Sequence, residues 1–189
     1  MPRVTLVGYR GSGKSSVAAR LAASLACSWQ DADEVLEREA GRSIADVIAT
    51  RGEPAFRDLE ETLLTRLLAE EPGVVATGGG VILREANRAA LRSRGRPVIW
   101  LAAPAEVLRA RIAADPTTAA RRPALAGTDP LAEVAAAVTV REPLYRAVAD
   151  AVIDVSQEPA DRIAARITTW LARSALAPPG PVAAAEAIP

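Results

Sequence analysis

The sequence predicts an α/β domain: a parallel sheet with helices on both faces. Three observations predict it. Short apolar runs alternate with amphipathic runs along the 189 residues, the order expected of strands joined by crossover helices. A glycine-rich turn, Gly8-Tyr9-Arg10-Gly11-Ser12-Gly13-Lys14-Ser15, separates the first apolar run from the first amphipathic one and has the spacing of a phosphate-binding loop. Half of the residues are hydrophobic but only 3% are aromatic, so the core is built from Ala, Leu, Val and Ile.

The elements follow in order. Arg3 to Val7 reads as the first strand. Ser15 to Ala26 reads as the first helix, with Val17, Leu21 and Leu25 on one face. Ser28 to Gln30 is a short strand ending at Asp31-Ala32-Asp33, and Glu34 to Ala40 is the next helix, stopped by Gly41. Ser43 caps a helix whose apolar face is Ile44, Val47 and Ile48. Gly52-Glu53-Pro54 breaks it, and Pro54 starts another with the stripe Phe56, Leu59, Leu63 and Leu67. Gly73 to Ala76 reads as a buried strand running into Thr77-Gly78-Gly79-Gly80. Glu85 to Ser93 is a helix, and Pro97 to Leu101 is a strongly apolar strand. Pro104 opens the next helix. Residues 115–130, rich in Pro, Thr, Gly and Asp, read as a lid over a cleft. Pro130 to Val140 is helical, Ala151 to Val155 is the last strand, and Pro159 to Ala172 the last helix. The folded domain thus spans residues 1–173. Residues 174–189, with four prolines and no periodic apolar face, read as a disordered tail.

Composition narrows the function. The net charge is zero, which points to no nucleic-acid or membrane partner. With no histidine and a single cysteine, a Ser-His-Asp triad and a disulfide are excluded within the chain, and a zinc site is not expected. The chain is expected in the cytoplasm, as a monomer. Lys14 is the only lysine among 23 basic residues, and it stands where a phosphate-binding loop requires one.

The loop chemistry follows from its residues. Glycines let successive N–H groups turn inward at a helix N-terminus, which makes an anion site. Gly11, Ser12, Gly13, Lys14, Ser15 and Ser16 are therefore assigned to the nucleotide. Lys14 reaches its β- and γ-phosphates, and the Ser15 hydroxyl binds Mg²⁺. Asp31 and Asp33 are two apart at a strand end and so point the same way. One faces the metal side and the other a substrate hydroxyl; alternatively, Asp33 simply caps the following helix. Arg57, with Glu60 and Glu61 three and four residues on, is either a surface ion pair or a guanidinium aimed at a carboxylate. Gly78, Gly79 and Gly80 suit a backbone that approaches a ligand closely.

Taken together, the phosphate loop, Asp31-Ala32-Asp33, Gly52-Glu53-Pro54-Ala55-Phe56-Arg57, Thr77-Gly78-Gly79-Gly80, Arg122-Pro123 and Arg141-Glu142-Pro143-Leu144-Tyr145 resemble the shikimate kinase family from about residue 4 to 172. The resemblance implies a three-layer α/β/α P-loop fold of the nucleoside-monophosphate-kinase type, with five parallel strands and a lid. It implies transfer of the γ-phosphoryl of ATP, with Mg²⁺, to the 3-hydroxyl of shikimate. On that resemblance Asp33 binds the acceptor hydroxyls and takes a proton, and Asp31 lies near Mg²⁺ through water. Arg57 and Arg141 clamp the acceptor carboxylate, Glu60 orients Arg57, Gly78 to Gly80 offer backbone groups, and Arg122 is the lid arginine on ATP. Two positions depart from the family pattern: Ala124 replaces a leucine in the lid, and Ile48 stands where an aromatic is common. The alternatives are a kinase of the same fold acting on gluconate or a nucleotide, and a nucleotide-binding regulator without catalysis.

Overall fold

A computed structural model describes residues 4–70, 73–115, 130–176 and 185–188. The elements are β1 (Val4–Val7), α1 (Lys14–Ser24), β2 (Trp29–Asp31), α2 (Ala32–Ala40), α3 (Ile44–Ala69), β3 (Val74–Ala76), a 3₁₀ turn (Val81–Leu83), α4 (Glu85–Arg94), β4 (Val98–Ala102), α5 (Ala105–Ala114), α6 (Pro130–Val148), β5 (Ala151–Asp154), α7 (Ala160–Leu176) and β6 (Glu186–Ala187). The sheet order is β2-β3-β1-β4-β5-β6, and every pairing is parallel.

Alternation along the strands divides the core between two faces. Val4 and Leu6 of β1, with Ile99 and Leu101 of β4, pack on Val17 and Leu21 of α1 and on Ile163 and Ile167 of α7. Val7, Val98 and Trp100 face the other way, onto Leu64 and Leu68 of α3, Leu91 of α4 and Tyr145 of α6. Because β1 to β3 run parallel, the loops that follow them leave the sheet at one edge. With β1 between β3 and β4, the chain turns opposite ways there, and a crevice opens at the carboxyl ends of the strands.

The expected breaks have physical causes. Gly41 ends α2 with φ of 64°, and Ser43 caps α3 by accepting from Asp46 N. At Gly52, φ of 81° and ψ of 161° interrupt α3, and Pro54 restarts it. Two expectations need correction. Helix α6 continues through Pro143 to Val148 rather than ending at Val140, so Arg141 is a helical residue. The sheet has six strands, not five, and residues 185–188 are not structureless. Glu186 N donates to Asp150 O at 3.0 Å and Ile188 N to Val152 O at 2.8 Å, which pairs β6 with the open edge of β5. The Ile188 side chain enters the α1/α7 core and is 4% exposed. The 115–130 lid lies, but for its two ends, outside the described residues.

Candidate active site

The loop after β1 is shaped by its glycines. Gly8 has φ of 151°, and a Cβ there would stand 2.6 Å from Leu101 O, so no other residue fits between β1 and β4. Gly13, in the left-handed region, is the N-cap of α1 and leaves the first-turn N–H groups facing the crevice. The Lys14 ammonium folds over the loop and donates to Gly8 O at 2.9 Å and Tyr9 O at 3.0 Å. Ser15 Oγ donates to Asp31 Oδ2 at the end of β2. A cavity of about 440 Å³ opens here, lined by this loop together with Asp31, Asp33, Thr77, Gly79 and Arg111.

The turn after β3 gathers the other side of the crevice. Thr77 ties it to β1 by donating from N and Oγ1 to Leu6 O. Each glycine then has a different neighbour. A Cβ on Gly78 would lie 2.8 Å from both Asp33 Oδ1 and Glu60 Oε1. A Cβ on Gly79 would lie 3.0 Å from Arg10 N of the phosphate loop. A Cβ on Gly80 would lie 2.4 Å from Arg57 Nη1. Gly79 O accepts from Tyr145 O–H at 2.5 Å and from Arg141 Nη1 at 3.4 Å. Asp33, Arg57 and Arg141, from α2, α3 and α6, thereby meet on one three-residue turn beside the phosphate loop.

Arg57 is not a surface ion pair. It is 9% exposed, stacks on the Phe56 ring, and donates from Nη1 to the buried Glu60 at 2.7 Å. Burial pulls its pKa down, but the charge and hydrogen bonds of Glu60 and Glu53 outweigh this and raise it, so the guanidinium stays charged. The Arg141 guanidinium lies over the Tyr9 ring at 5.1 Å, which seats a second cation against the loop.

Asp33 does not cap α2; Asp31 does, accepting from Asp33 N at 2.9 Å and Glu34 N at 3.3 Å. This leaves the Asp33 carboxylate facing the glycine turn. Glu61 does not orient Arg57; it accepts from Arg84 at 2.9 Å. Arg122 lies outside the described residues. Sequence reasoning assigned no role to Glu53, Tyr145 or Arg111. Glu53 lies four residues before Arg57, a helical neighbour position, and that spacing was the available signal. Arg111 donates to Val155 O and Ser156 O, which fixes it to the wall of the cavity. Nothing in its sequence surroundings marked it. Ser15 and Asp31 suit Mg²⁺, which takes few protein oxygens and keeps several waters.

A phosphate loop on a parallel sheet, with Asp33 in the lining of its cavity and Arg57 and Arg141 on the adjoining glycine turn, has the parts of an ATP-dependent P-loop kinase of small molecules. The profile of the family described as "Shikimate kinase" matches residues 10–172. The shikimate kinase of Rhodopirellula baltica is 47% identical over 158 residues, covering 84% of each chain. That of Oleidesulfovibrio alaskensis is 44% identical over 172 residues, covering 91% of this chain and 98% of its own. Among solved structures, the shikimate kinase of Acinetobacter baumannii in complex with shikimate superposes with a TM-score of 0.86 at 33% identity, over 94% of this chain and 96% of the other. This chain belongs to the shikimate kinase family.

Proposed function

We infer that this chain transfers the γ-phosphoryl of ATP to the 3-hydroxyl of shikimate, giving shikimate 3-phosphate and ADP. The observation that carries the reading is the convergence of Asp33, Arg57 and Arg141 on Gly78 to Gly80, at the rim of the phosphate-loop cavity. An acceptor with a carboxylate and neighbouring hydroxyls matches two guanidiniums and one carboxylate on one wall.

In this reading Gly11 to Ser16 hold the nucleotide's phosphates through N–H groups, and Lys14 exchanges its bonds to loop carbonyls for phosphate oxygens. Ser15 and Asp31 would hold Mg²⁺, which would supply charge neutralisation on the phosphates. Arg57 and Arg141 grip the acceptor carboxylate, and Glu60 fixes Arg57. Gly78, Gly79 and Gly80 present backbone to the acceptor. Asp33 accepts the proton of the 3-hydroxyl as its oxygen bonds to the γ-phosphorus and the bond from that phosphorus to the ADP oxygen breaks. Arg122 is the lid arginine that neutralises charge on the transferring group. The reading includes a cytoplasmic monomer that acts on a small molecule; a net charge of zero gives no electrostatic pull toward nucleic acid or an anionic membrane. No helix among the described residues is long and apolar enough to cross a membrane.

The test is ADP release with a panel of acceptors. Release that depends on shikimate, with gluconate and nucleoside monophosphates giving only background, is the expected result. Equal release with gluconate or a nucleotide would overturn the reading.

A further inference from the structure

Glu53 opens the second half of α3, directly after the interruption at Gly52. Its Oε1 accepts from two nitrogens of Arg57, Nη2 at 2.9 Å and Nε at 3.3 Å. That edge of a guanidinium is one of the two that bind a carboxylate by parallel hydrogen bonds. The other carboxylate on Arg57, Glu60, takes Nη1.

The two glutamates are seated differently. The Glu60 side chain is 6% exposed, and that of Glu53 is 61% exposed. One guanidinium between two carboxylates is locally negative, and a third carboxylate brought to the same group is repelled until one leaves. Glu60 cannot leave cheaply, because breaking a desolvated pair strands a buried charge. Glu53 can, because an exposed pair contributes little and its side chain returns to water. The exchange needs only a change of side-chain rotamer at Glu53, so the backbone of α3 stays as it is.

We propose that Glu53 is a stand-in for the acceptor's carboxylate: it occupies the Nε–Nη2 edge of Arg57 in the free protein and gives way when the acceptor binds. This rests on the acceptor reading above. Glu60, which stays in place, keeps Arg57 aligned throughout the exchange. It also sets a condition for entry. A polyol without a carboxylate cannot replace Glu53 on the guanidinium and gains nothing from Arg57.

The experiment measures the dissociation constant and KM for shikimate in the wild-type chain, Glu53→Gln, Glu53→Ala and Asp58→Asn. Asp58 is the control. It is an exposed carboxylate on the next turn, bound to Arg84 at 2.7 Å and not to Arg57. Both Glu53 variants are expected to lower the shikimate constants by about two- to fivefold, the range set by an exposed ion pair. Their KM for ATP and their melting temperature stay unchanged, and Asp58→Asn leaves all values as in the wild type. Unchanged or higher shikimate constants in the Glu53 variants overturn the stand-in while leaving the acceptor reading intact. An equal gain in Asp58→Asn also overturns it, because removal of any nearby charge would then suffice. A wild-type chain that neither binds nor phosphorylates shikimate sinks the acceptor reading, and the stand-in with it.

Discussion

At the scale of single residues, the site depends on what is missing as much as on what is present. Gly80 leaves room for the Arg57 guanidinium, and Gly78 leaves room for the carboxylates of Asp33 and Glu60. Gly80→Ala puts a methyl group 2.4 Å from Arg57 Nη1, and the side chain of Arg57 must move because the strand-anchored backbone cannot. The expected outcome is a shikimate KM raised about tenfold or more, the loss of at least one charge-assisted hydrogen bond, with the KM for ATP little changed. Steady-state kinetics with each substrate varied in turn checks this; an unaltered shikimate KM would show that Arg57 does not grip the acceptor. Much of this scale was legible beforehand. Spacing alone picked out Lys14, Ser15 and the glycines, because the chemistry of a phosphate loop is local in sequence. Asp33 and Arg57 stayed ambiguous on their own residues, because capping and surface pairing are local explanations equally available to them. Burial excludes the surface pair for Arg57, and Asp31 as the cap excludes that role for Asp33; their roles toward an acceptor are the proposal above.

At the scale of elements, the strands and helices that carry a regular apolar period were legible, and those held by other means were not. Helix α6 runs on past Pro143, and Tyr145 beyond it is packed on Trp100 and bonded to Gly79, so tertiary contact overrides the proline signal. Strand β6 was invisible for a similar reason. Two backbone pairs and one isoleucine define it, and no alternation is possible over two residues. Its anchors are specific: Trp170 Nε1 donates to Glu186 at 3.0 Å and Arg166 donates to Ile188 O at 2.7 Å. Burying one isoleucine contributes about 1.5–3 kcal/mol. Truncation after Leu176 is therefore expected to lower the melting temperature by about 4–8 °C, from the usual entropy of unfolding for this size. Because β6 borders the start of β5, away from the crevice, kcat and both KM values should survive. A thermal melt with matched kinetics checks both halves; an unchanged melting temperature would mean that β6 contributes nothing to the fold.

At the scale of the whole molecule, the parallel sheet is what turns scattered motifs into a site. Residues 8–16, 31–33, 57–60, 77–80 and 141–145 are far apart in sequence, and only shared strand direction brings the ends of β1, β2 and β3 to one edge. Helices α3 and α6 pack on the same face and deliver Arg57 to Gly80 and Arg141 to Gly79. This convergence could be expected from the alternating order of elements, but the contacts themselves could not, since no local signal says which helix face meets which turn. The central claim is that Asp33, Arg57 and Arg141 act as one acceptor site. Titrating shikimate into Asp33→Asn, Arg57→Ala and Arg141→Ala, each beside the wild type, tests it most directly. All three should bind shikimate about tenfold or more weakly, while ATP binding remains near normal. If any two of them bound shikimate as tightly as the wild type, the three side chains would not form a common site.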